Sequence, residues 1–120
     1  MRLLADVLVA LVGLLHGWFL VLEMFLWTKP TGRRVFRTTP EFAEASAKLA
    51  ANQGLYNGFL AAGLLWGLSM GPAGHAVELF FLGCVIVAGV YGAATVNRRI
   101  FFVQALPALL ALAAMSLSRR

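Results

Sequence analysis

Residues 20–27 read LVLEMFLW, a run that favours a non-aqueous environment at every position but one, the carboxylate of Glu23. The run is the end of a longer apolar segment, 3–27. Crossing the hydrocarbon core of a bilayer takes about 20 consecutive, mostly apolar residues. Three more stretches have that length and character, 49–70, 75–96 and 100–117. The expected fold is therefore all-α: an integral membrane protein of four antiparallel transmembrane helices in an up-down bundle. The whole chain, 1–120, forms one domain.

Composition supports this reading. Of 120 residues 61% are hydrophobic and only 12% are charged, and the mean hydropathy is +0.83. A soluble domain of this size needs more charge to cover its surface. The formal net charge of +5 does not point to nucleic acid, because the basic residues form short clusters between apolar runs rather than a stripe beside aromatics. A lone cysteine, Cys84, offers neither a disulfide framework nor metal-ligand spacing. No cofactor motif is present, and the bilayer itself is the first partner implied.

The connections set the topology. GPAG and NRR are short, so the helices they join are antiparallel neighbours. The first connection, 28–39, is longer and basic. No small-x-small cleavage site follows the first apolar run, which is therefore read as a retained helix rather than a signal peptide. Six basic residues (Lys29, Arg33, Arg34, Arg37, Arg98 and Arg99) lie on one side of the bundle, against three (Arg2, Arg119 and Arg120) on the other. The positive-inside rule then puts the first and third loops in the cytoplasm and both termini outside the cell membrane. Thr39, Pro40 and Glu41 form an N-cap, a first-turn proline and a first-turn acid, so the second helix begins near Pro40.

With depths assigned, polar residues converge on the Glu23 end. Glu23 lies four residues before Trp27, about 6 Å below the boundary at about 1.5 Å per residue. The second helix enters there with Asn52, Gln53, Tyr56 and Asn57; the third leaves with Tyr91, Thr95 and Asn97; the fourth enters with Gln104. His16 and Glu23 are seven apart and share a helix face, as do Gln53 and Asn57 at four apart. Pro107, three residues after Gln104, frees a carbonyl in the preceding turn. Ionisable groups inside a span are costly and mark pathways or pockets. The candidate ligand-binding set is accordingly Glu23, Gln53, Asn57, Tyr91, Gln104, Asn52 and Tyr56. In an enzyme, Glu23 would be the general acid or base and His16 its proton partner.

Asp6, His75 and Glu78 form a thinner cluster at the other face, read as wet residues at a helix entrance rather than a metal site. His16 and His75 sit at different depths, which argues against a haem held by two histidines. The pairs Gly54/Gly58, Gly63/Gly67 and Ala88/Gly92 permit close helix approach, within one bundle or between two copies.

The phrases LVLEMFLW, TPEFAE, ANQGLYNGFLAAGLLWGL, LFFLGCVIVAGVYGAATV and VQALPALLAL resemble the bacterial and fungal membrane proteins grouped as Domain of Unknown Function 1304. That resemblance spans nearly the whole chain and implies a four-helix membrane protein without implying an activity. The segment HGWFLVLEM departs from the family pattern in carrying Trp18 where that pattern has Tyr. Three functional readings follow. One is a protein that binds or translocates a small molecule or ion at a polar, Glu23-centred pocket, with transport calling for a homodimer because four helices enclose little space. The second is a membrane enzyme, an isomerase or hydrolase, acting on a lipophilic substrate. The third is a structural or accessory subunit whose polar groups only hold helices together.

Overall fold

The computed structural model describes residues 2–118, so the orientation argument from Arg119 and Arg120 rests on residues outside the described ones. All regular structure among the described residues is helical: α1 (Arg2–Met24), α2 (Pro30–Phe36), α3 (Pro40–Ser69), α4 (His75–Thr95) and α5 (Leu106–Ser118). A 3-10 turn over Gly71–Gly74 joins α3 to α4, and a π-turn over Phe101–Ala105 leads into α5. The molecule measures 52 × 26 × 18 Å, as expected of helices packed side by side.

The four long helices close into a ring: α1 packs on α3, α3 on α4, α4 on the π-turn and α5, and α5 back on α1. Neighbours run antiparallel. Gly54 of α3 faces Glu23 and Leu20 of α1, while Gly13 faces Leu64 and Leu65. Gly67 faces Glu78 of α4 and Gly63 faces Phe81; Gly89 faces Ala105 and Gly92 faces Ile100.

Each helix buries a stripe at alternating spacings of three and four, the seam expected of helices crossing at shallow angles. On α1 the stripe is Ala5, Val9, Val12, His16 and Glu23. On α3 it runs Ala43, Ala50, Gly54, Asn57, Ala61 and Leu64, and on α4 Glu78, Leu82, Val85 and Gly89. Glycines and alanines recur along these stripes, so backbones approach closely and the contact is van der Waals packing over a long seam. Gly89 shows why. A Cβ there would sit 2.6 Å from the backbone nitrogen of Ala105.

Local chemistry accounts for the helix ends. Thr39 caps α3 as expected, its Oγ1 accepting from Phe42 N at 3.1 Å, with Pro40 next in line. The first connection contains a helix that the basic loop 28–39 did not advertise. Pro30 presets the first turn of α2, Arg33 and Arg34 suit its last turn, and Arg37 ends it in the left-handed region at φ 57°. Gly32 is needed because a Cβ there would overlap the Leu26 carbonyl. Phe36 then packs on Trp27 at 4.9 Å between ring centroids, and Trp27 Nε1 donates to Ser46 Oγ at 3.0 Å. Asn97 Oδ1 accepts from Arg99 N at 2.8 Å, capping the chain as it turns into the π-turn.

Three helical segments are long and apolar enough to cross a membrane: Arg2–Met24, Gly71–Thr95 and Phe101–Ser118. α3 is not among them despite its 30 residues. Asn52, Gln53 and Asn57 dilute its apolar content, and Glu41, Glu44 and Lys48 occupy its first turns.

Candidate functional site

Glu23 is the penultimate residue of α1 and is buried, 7% exposed. Gly54 and Gly58 bring α3 so close that a Cβ on Gly54 would lie 3.0 Å from Glu23 Cβ. That approach carries Asn57 to the carboxylate, and its Nδ2 donates to Glu23 Oε1 at 2.5 Å. Asn57 is itself buried. Among the described residues no basic side chain forms an ion pair with Glu23; Arg98 and Arg99 are exposed in the α4–α5 turn. The position is also electrostatically adverse. The last turn of a helix presents unpaired carbonyls and the negative end of the macrodipole, which disfavours an anion. Burial and the dipole work against a bare carboxylate there, while the N–H that Asn57 donates works in its favour without supplying a compensating charge.

His16, two turns away on the same face of α1, is fully buried. Its Nδ1 lies 2.9 Å from the Val12 carbonyl and its Nε2 lies 3.0 Å from Gln104 Nε2. The Val12 oxygen can only accept, so Nδ1 carries a proton and Nε2 accepts from the Gln104 amide. Phe19 covers the ring edge-on at 5.1 Å. Gln104 reaches the imidazole from the π-turn, the irregularity that precedes Pro107: Leu106 N bonds back to Phe101 O, one residue further than in an α-helix. With both nitrogens engaged and no exposed surface, His16 ties α1 to the start of the fourth long helix.

Thus Glu23 meets Asn57, and His16 meets Gln104. The remaining expected residues lie elsewhere. Asn52, Gln53 and Tyr56 are exposed on the outside of α3, and Tyr91 is 70% exposed on the outside of α4. Gln53 flanks the Gly54–Asn57–Ala61 stripe without belonging to it, so sharing a broad face with Asn57 does not bring it inside. Tyr91 is two residues past the buried Gly89, which at about 100° per residue turns it to the opposite side of α4. It lines an apolar surface groove with Leu79, Phe80, Gly83, Cys84, Val87 and Ala88. Ser46 is the residue that sequence reasoning passed over. Its bond to the Trp27 indole fixes the chain just beyond Glu23, and a Ser on the entering helix opposite a terminal Trp was the available signal.

At the far end of the ring Glu78 is buried rather than wet, and with Asp6 and His75 it borders a cavity of about 430 Å3 that also includes Arg2.

Comparison with known proteins adds the lineage. A family model described as "Protein of unknown function (DUF1304)" matches residues 10–116. The chain is 33% identical over 114 residues to an uncharacterised protein, YpaA, of Lactococcus lactis subsp. lactis (strain IL1403), covering 93% of this chain and 96% of the relative. No solved structure matches it significantly. The buried stripes of all four long helices fall largely within the matched region, and the chain belongs to the DUF1304 family.

Proposed function

We propose that this is a four-span protein of the bacterial inner membrane that binds a small cation, or a proton in its place, at Glu23. The observation that carries the reading is a buried carboxylate whose side-chain partner, among the described residues, is the neutral amide of Asn57 alone. A group so placed gains from any positive charge that joins it, and Asn57 Oδ1 and the free carbonyls at the end of α1 are natural further ligands for a cation. The fourth span is α3: residues 49–69 cover about 31 Å at about 1.5 Å per residue, and Leu49, Leu55, Phe59, Leu65 and Trp66 face outward along it. The basic α2 segment then lies on the cytoplasmic side, with Glu23 just inside that boundary and both termini outside.

Binding suits the geometry better than a through-channel. Between Glu23 and the far end, Val9, Val12, Leu64, Leu82 and Val85 are at most 1% exposed and fill the ring. A solute entering at Glu23 leaves by the same side unless helices move or a second copy contributes.

Exchange of a proton for a cation at Glu23 is directly measurable. Methylammonium chloride added to the protein in weakly buffered micelles should release protons, read with an indicator dye, from the parent and not from folded Glu23→Gln. Equal release from both proteins would remove Glu23 from the binding role.

A further inference from the structure

We propose that the end of the ring opposite Glu23 is a second binding site, for a small zwitterion of the amino-acid type. Its carboxylate would meet Arg2 and its ammonium would sit between Asp6 and Glu78. The proposal rests on a different part of the molecule from Glu23 and does not depend on the reading given for that residue.

The cavity is bounded by the start of α1, the end of α3 with its 3-10 turn, the first turn of α4 and the end of α5. Its volume, about 430 Å3, falls within the roughly 300–1,000 Å3 typical of small-molecule sites. Charges of both signs line it: Arg2, Asp6 and Glu78, with His75 beside them. Both Asp6 and Arg2 act electrostatically on Glu78. Among the described residues Arg2 nevertheless forms no ion pair with Asp6 or Glu78. Opposite charges held around a void and kept from closing on each other are arranged for a ligand that carries both signs.

The Glu78 side chain is placed by a built device rather than by a wandering surface group. It is 6% exposed and lies over Gly67, where a Cβ would come within 2.7 Å of Glu78 Cγ. Gly74 in turn packs on the Gly67 backbone so closely that it tolerates no side chain. Two glycines therefore seat the carboxylate at the cavity wall.

Three features select among ligand classes. A metal ion is disfavoured because, among the described residues, no three His, Cys, Asp or Glu side chains converge on one point. A simple anion meets two carboxylates, and a simple cation leaves Arg2 unsatisfied. Leu68, Pro72 and Met115 supply an apolar wall for a short aliphatic tail. Leucine is the probe that matches all of this.

The test uses the full chain in detergent, with binding followed by calorimetry. Leucine should bind, while isoamylamine and 4-methylpentanoate, each carrying one of its two charges, should bind at least about tenfold more weakly, since a charged hydrogen bond is worth roughly 1.5–3 kcal/mol. Arg2→Gln and Glu78→Gln should each lose leucine binding by a similar factor, and Glu23→Gln should keep it. Because Glu78 is packed against Gly67, the exposed Arg2→Gln is the variant expected to fold without question. No leucine binding by the folded parent, binding of the amine as tight as that of leucine, or unchanged binding by Arg2→Gln would each overturn the proposal.

Discussion

Asn57 donates to Glu23 at 2.5 Å across the α1–α3 interface, joining two residues 34 positions apart in the chain. The bond exists because Gly54, one turn earlier on α3, lets the two backbones approach. Position and partner are thus set by the same seam, and the consequences for stability and for function separate cleanly.

Glu23→Gln keeps the shape and the acceptor oxygen that Asn57 needs. It should fold with a Tm close to the parent and lose methylammonium-dependent proton release. A large fall in Tm, with release retained by the folded fraction, would mean that Glu23 is a structural residue.

Asn57→Ala should destabilise the protein through the partner left behind. A buried carboxylate without its donor costs about 1–3 kcal/mol in general, whereas interhelical hydrogen bonds in membranes average about 0.6 kcal/mol. The membrane figure governs if water can reach the vacated space, and the larger one if it cannot. Reversible unfolding in mixed micelles, run as a double-mutant cycle with Glu23→Gln, measures which applies. The single Asn57→Ala change should be worse than the same change made in the Glu23→Gln background.

Glycine substitutions should divide by position. Gly89→Ala places a methyl against the Ala105 backbone, which cannot step aside, and should destabilise severely. Gly17 and Gly83 have nothing within 4 Å of the new atom, so alanine there should raise stability by about 0.5–1 kcal/mol through helix propensity alone. Thermal unfolding of the three variants side by side checks both signs.

His16 should be a neutral imidazole with its proton on Nδ1, because Val12 O accepts there and Gln104 donates at Nε2. Nitrogen-15 NMR of labelled histidine distinguishes this tautomer directly. Gln104→Leu should shift the His16 resonances and cost stability. A protonated ring in the parent would show instead that the Gln104 amide is turned the other way.

Tyr91→Phe and Gln53→Leu should be nearly silent, within about 0.5 kcal/mol, since both side chains point away from the ring. Either variant losing methylammonium-dependent proton release would restore its residue to the Glu23 site.

The sequence alone was enough for the four long helices and for the start of α3, though not for α2. Long apolar runs have few alternatives to helix, and Thr39–Pro40 or a glycine-proline turn act through the backbone of their own neighbours, so those signals survive any tertiary arrangement. It also showed that Glu23 was out of place, because the apolar run around it implies burial whichever partner it finds. Which polar groups reach Glu23 was another matter. Asn52, Gln53, Tyr56 and Asn57 share a depth, but rotation about the helix axis separates them, and that rotation is set by the glycine and alanine seam against α1. A spacing of four leaves room for Gln53 to flank the seam while Asn57 sits on it. The π-turn that carries Gln104 to His16, and the meeting of Arg2, Asp6 and Glu78 around one cavity, are likewise products of packing: they depend on how four separate helix ends are brought together, and no local stretch of the chain encodes that.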